Sequence, residues 1–149
     1  MDPKHKQLGI DMVVAGCFGI AGGFVGSEVA DKLSDLEALT TVVSAGSHAL
    51  VFTLYFTPAH IYHNKDIYFK EGKFNWGKFF KNMAKLGAVY AGIDTLYYAT
   101  RPPLQALCMK YVCRSAGLSS ILVDLISFPL YFFMAPPAAK MTGIFDAEK

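Results

Sequence analysis

A chain of 149 residues, 53% hydrophobic and only 17% charged, holds one domain and leaves no room for a catalytic body with a separate cofactor domain. Soluble domains carry about 25% charged residues, and a net charge of +2 gives no reason to expect a nucleic-acid partner. Cys17, Cys108 and Cys113 fit neither a paired framework nor a metal-ligand spacing.

Lys4 and Lys6 precede the first apolar run, and from Leu8 to Ser27 the one charged residue is Asp11. A bilayer core about 30 Å thick takes about 20 mostly apolar residues per helix, which predicts a first transmembrane helix over roughly 8–30. The run is too long for a signal peptide and contains Asp11. Gly19, Gly22, Gly23 and Gly26 overlap in small-xxx-small patterns, which let helix backbones approach closely. This is a helix-packing face, within the protomer or across a homodimer. Asp31 to Glu37 forms a short acidic loop.

From Ala38 to Ile61 there is no Asp, Glu, Lys or Arg, and the second helix is predicted over about 38–60. His48, at its middle, reads as a hydrogen-bonded interhelical residue. His60 and His63 stand three apart at its end and are weak metal candidates. No carboxylate or cysteine lies near them in sequence, so no metal site is expected. The connection over 62–83 is rich in lysine. Asn75 reads as the cap of a short helix in which Trp76, Phe79, Phe80 and Met83 recur at helical spacing, with Lys78, Lys81 and Lys85 on other faces. Trp76, Phe79, Phe80, Lys78 and Lys81 are thus expected to anchor an amphipathic segment at anionic lipid head groups.

The third helix is predicted over about 84–110, with Asp94 and Arg101 as its charges, and the fourth over about 116–140, with Asp124 alone. Pro102 and Pro103 remove backbone donors and free the carbonyls of Tyr98 and Ala99. Pro129, Pro136 and Pro137 do the same in the fourth helix. At 1.5 Å per residue from the outer end, Arg101 lies ~13 Å deep and Asp124 ~10 Å deep. The two are expected to pair. Asp94 falls nearer the cytoplasmic third and Glu28 near the outer rim. Three roles are open for the Arg101, Asp124 and Asp94 set: a structural ion pair, a pocket in which Arg101 receives an anionic head group such as a lipid phosphate, or a proton relay. Arginine suits phosphate because its planar fork donates two bonds at once.

The fold expected is therefore all-α: a multi-pass integral membrane protein of four helices arranged as two tandem hairpins. A shift of 79 residues lays Ala38-Leu-Thr-Thr-Val-Val43 on Gly117-Leu-Ser-Ser-Ile-Leu122 and Pro58-Ala59 on Pro137-Ala138, the mark of a parallel tandem repeat. Lysines crowd the N-terminus, the connection and the tail, which puts both termini in the cytoplasm, at the cell (inner) membrane. No Gly-rich phosphate loop, nucleophile elbow, Cys-x-x-Cys or His-Glu-x-x-His occurs, so neither an enzyme nor a cofactor is expected.

Lys85-Leu-Gly-Ala-Val-Tyr-Ala-Gly-Ile-Asp-Thr-Leu96, then Ala116-Gly-Leu-Ser-Ser120, then a returning apolar helix ending at Ile144-Phe145, resembles the GtrA-like family of four-helix membrane proteins. The likeness covers nearly the whole chain. It implies translocation or presentation of polyprenyl-phosphate-linked sugars, with membrane lipids and a membrane glycosyltransferase as partners. Two other functions are compatible with the residues: a non-catalytic accessory subunit of a hetero-oligomeric membrane complex, and a small ion or proton carrier.

Overall fold

The computed structural model describes residues 3–127. Helix α1 spans Pro3–Leu33 and α2 spans Glu37–His63, separated by the three-residue turn 34–36. A one-turn helix α3, Lys65–Tyr68, leads into strands β1, Phe69–Lys70, and β2, Lys73–Phe74. Helix α4 runs from Trp76 to Tyr111 and α5 covers Ala116–Ser127. The remainder of the predicted fourth helix lies outside the described residues, with Pro129, Pro136, Pro137 and the lysines of the tail.

The strands form a minimal hairpin with Phe69 opposite Phe74 and Lys70 opposite Lys73. Its two-residue loop, Glu71-Gly72, has positive φ at both positions (51° and 75°). That is the handedness which matches the twist of the flanking strands, and Gly72 adopts it without steric cost.

The main difference from expectation is at the start of α4. Asn75 does cap a helix, its Oδ1 accepting the Lys78 N–H at 2.9 Å. But the helix it caps is no short interfacial piece. It runs on for 36 residues, and neither Gly77 nor Gly87 breaks it. It also continues through Pro102 and Pro103. The aromatic anchors divide accordingly. Trp76 and Phe80 are exposed, whereas Phe79 is buried against Tyr68, Phe74 and Trp76. Lys78 is half-buried and Lys81 exposed.

Pairs of touching residues fix the directions. Asp11 meets His63, and Gly26 meets Ser47, so α1 and α2 are antiparallel. Arg101 meets Asp124, and Gln105 meets the carbonyl of Ala116, so α4 and α5 are too. Leu8 packs with Leu86, and Ser27 bonds Gln105. Helix α1 therefore runs alongside α4 in the same direction, and Ser44–Ser120 and His48–Asp124 place α2 parallel to α5. The result is two antiparallel hairpins standing side by side. The 34–36 and 112–115 turns share one end of the bundle, and the 64–75 connection lies at the other.

The glycine face of α1 is used inside the protomer. A Cβ on Gly22 would strike Val51, one on Gly26 would strike Ser47, and one on Gly19 would meet the His48 ring. These glycines let α2 lie close to α1. Gly23 points elsewhere, to the Arg101 side chain.

Two helical stretches among the described residues, Lys6–Leu33 and Glu37–His63, are long and apolar enough to cross a membrane. Helix α4 has the length, but Asp94, Arg101, four tyrosines and two prolines dilute its apolar character. The described part of α5 is apolar and short. Burial is inverted relative to a soluble bundle. Val25, Val29 and Leu33 on α1, Leu50 and Leu54 on α2, Leu104 and Leu107 on α4, and Leu118, Leu122 and Leu125 on α5 all face outward, while Ser27, Ser44, His48, Arg101, Gln105, Ser120 and Asp124 are buried.

Candidate functional site

Each of α1, α2, α4 and α5 presents small or polar residues four apart, hence on one face: Gly23 and Ser27 on α1, Ser44 and His48 on α2, Tyr97, Arg101 and Gln105 on α4, Ser120 and Asp124 on α5. The antiparallel hairpins bring these faces to one level. Counting from the turn end at 1.5 Å per residue puts Gly23, His48, Arg101 and Asp124 all ~12–17 Å in.

Arg101 is at the centre and fully buried. Its Nε donates to Asp124 Oδ1 at 2.7 Å and to the Tyr97 hydroxyl at 3.1 Å. Nη1 donates to Ser44 Oγ at 3.0 Å and Gln105 Oε1 at 3.2 Å. Nη2 donates to Ser120 Oγ at 2.8 Å and Asp124 Oδ2 at 2.9 Å. Guanidinium has five N–H groups, and all five are engaged. Asp124 is held bidentately, the strongest arrangement open to such a pair.

A second ring of contacts supports the first. The Tyr97 hydroxyl donates to Asp124 Oδ1, and His48 Nδ1 stands 3.3 Å from Asp124 Oδ2. Gln105 Nε2 donates to Ser27 Oγ and to the Ala116 carbonyl, while Ser27 and Ser44 both donate to the Gly23 carbonyl. Among the described residues, Thr40 Oγ1 is the one buried side-chain polar atom with no partner.

Of the residues singled out in the sequence, Arg101 and Asp124 are brought together as a pair. His48 joins them, bridging α2 to α5. Asp94 is not among the acceptors of the Arg101 guanidinium. It lies two turns away, half-buried, because seven residues along a helix carry it about 10 Å toward the connection end. Glu28 does different work at the turn end. Its Oε1 accepts the Gly117 N–H at 2.8 Å and the Ser115 hydroxyl at 3.0 Å, placing a carboxylate on the positive N-terminus of α5.

The connection end holds another polar cluster. Buried Asp11 accepts from Gln7 Nε2 at 2.9 Å and contacts His63 Nδ1 at 2.9 Å. His60 and the Tyr68 hydroxyl share a hydrogen bond of 2.8 Å, with Asn64 and Asn82 alongside. His60 and His63 thus have separate partners, and among the described residues no group of His, Cys, Asp and Glu could hold a metal. Outside the bundle Lys4 bonds Asp66 and holds its carboxyl below the usual range. Burial pushes the Tyr68 hydroxyl up.

Tyr97, Gln105, Ser44, Ser120, Ser27 and Asp11 are the site residues not anticipated from sequence. The signal that would have found the first five is the four-residue polar stripe, which is hidden when charged residues alone are mapped. No family model, curated protein or solved structure matches the chain.

Proposed function

We propose that the chain is a four-span integral membrane protein, with α1, α2, α4 and α5 as its spans and its N-terminus and 64–75 connection in the cytoplasm, and that it serves as a non-catalytic accessory subunit of a larger membrane complex. The inverted burial supports the membrane reading. Many side chains that favour hydrocarbon face outward on all four helices, and the buried polar ones, Thr40 Oγ1 apart, satisfy each other inside, as groups in a medium without water must. The lysines of the connection support the orientation.

The accessory role is carried by one observation: every N–H of Arg101 already has a partner inside the bundle. A lipid phosphate entering there would have to displace Asp124, Ser44 or Ser120 and leave them buried and unpaired. Such a loss costs about 1–3 kcal/mol per neutral group and more for a charge. The network therefore acts as the clasp of the bundle. The glycine face is spent within the protomer, which leaves the outward apolar faces for lipid and partner helices. By the GtrA-like resemblance the partner is a membrane glycosyltransferase.

Native mass spectrometry of the protein extracted from its own membrane in mild detergent tests this. A stoichiometric second membrane protein is expected, and a monomer or homodimer alone overturns the reading. Liposomes holding the chain by itself separate it from its rivals. They should move neither a fluorescent polyprenyl-phosphate sugar nor protons. Movement that is lost in Arg101→Ala would replace the accessory role with translocation or proton carriage.

A further inference from the structure

The C-terminus of α4 brings two thiols together. The backbone N–H groups of both Val112 and Cys113 donate to the Cys108 carbonyl at 2.9 Å, so the chain reverses and lays residue 113 beside the last helical turn. The path from Cα108 through that carbonyl oxygen to N and Cα of 113 caps the Cα separation at about 6.8 Å, within the span a disulfide bridges. Both cysteines are free and half-buried, whereas Cys17 lies exposed on α1. Sequence spacing alone pairs none of the three. It is the helix-terminating reversal that makes 108 and 113 neighbours. Exposed Lys110 and Arg114 flank them.

We propose that Cys108 and Cys113 are a modification site that closes to an intramolecular disulfide. The inference uses the orientation given under Proposed function, which puts the 112–115 turn outside the cytoplasm, where disulfides form and persist. The oxidant is a disulfide of the thiol–disulfide exchange class. One thiolate attacks it and releases one of its sulfurs as a thiol. The second cysteine then attacks the mixed disulfide and releases the other. Two cysteine thiols lose two protons and two electrons, and the oxidant leaves as two thiols. The product ties the last turn of α4 to the turn that carries Ser115, the residue bonded to Glu28 at the start of α5.

Trypsin makes the test direct, because Lys110 lies between the two cysteines. The full-length protein is taken from its native membrane, blocked with a thiol reagent, digested without reductant and weighed. The expected product joins the 86–110 and 111–114 peptides, two hydrogens lighter than their sum, and separates on reduction. The purified protein is also incubated with glutathione disulfide. Free thiols in the membrane together with no linkage in glutathione disulfide overturn the pairing. Free thiols in the membrane with ready linkage in vitro leave the pairing standing and overturn the side assigned to the turn. Cys113→Ser must abolish the linked species. If the species persists in that variant, Cys108 has another partner and the proposal fails.

Discussion

Arg101 and Asp124 cost the protein less as a pair than either would alone. Removing one partner of a buried ion pair typically destabilises by about 3–5 kcal/mol, because the remaining charge is left uncompensated, whereas replacing both with apolar side chains is often tolerated. Arg101→Ala and Asp124→Ala should therefore each lower the melting temperature in detergent sharply, and Arg101→Met with Asp124→Leu should cost less than either. Additive losses across this cycle would show that the two are not coupled. Gly23 belongs to the same argument. A Cβ there would lie 2.8 Å from Nη2 of a guanidinium pinned on every side, so Gly23→Ala should cost about 1–3 kcal/mol by overpacking. Gly9→Ala, with nothing within 4 Å, should instead be neutral or gain up to about 1 kcal/mol of helix propensity. Thermal unfolding followed by size-exclusion chromatography compares the two.

The helices differ in how firmly their ends are held. Helix α5 begins on Ser115, whose hydroxyl accepts the Leu118 N–H, and under Glu28, which reaches across from α1. Glu28→Ala should lose a cap worth about 0.5–2 kcal/mol and speed hydrogen exchange in the first turn of α5 before it affects the rest of the bundle. Unchanged exchange there would mean that Ser115 suffices. At this scale the sequence was a good guide to helices and a poor one to their starts. The charge-free run from Ala38 to Ile61 marks α2 within three residues at each end. The start of α4 is not legible in the sequence, because the lysines and aromatics after Asn75 look like a segment at the head groups, although nothing after the cap stops the helix. The pairing of Arg101 with Asp124 was legible because the two lie at matched distances from one turn. The partners of Arg101 on α1 and α2 were not, because helix rotation is set by close packing at Gly19, Gly22 and Gly26 and not by depth.

Across the described residues, two antiparallel hairpins stand in parallel and are clasped at one level by a network that draws on α1, α2, α4 and α5. Many apolar side chains that a soluble bundle would bury are on the outside. The structure closes its polar interior with its own groups, which agrees with a protein that offers surfaces to partners rather than a chamber to a substrate.

The network also constrains how the chain is made. Arg101 leaves the ribosome 23 residues ahead of Asp124, so α4 emerges with a charge whose counter-ion has yet to be synthesised. An unpaired arginine at mid-helix costs about 2.5–3.5 kcal/mol to insert, and α4 has little spare apolar character to offset it. In the proposed four-span arrangement, the second hairpin should thus wait at the insertion machinery until α5 is available and enter lipid as a unit, whereas α1 and α2 can enter one after the other. Glycosylation mapping of chains truncated after Lys110 should find α4 uninserted, and extension through α5 should restore it. Efficient insertion of α4 alone would show that Arg101 reaches the bilayer before its partner.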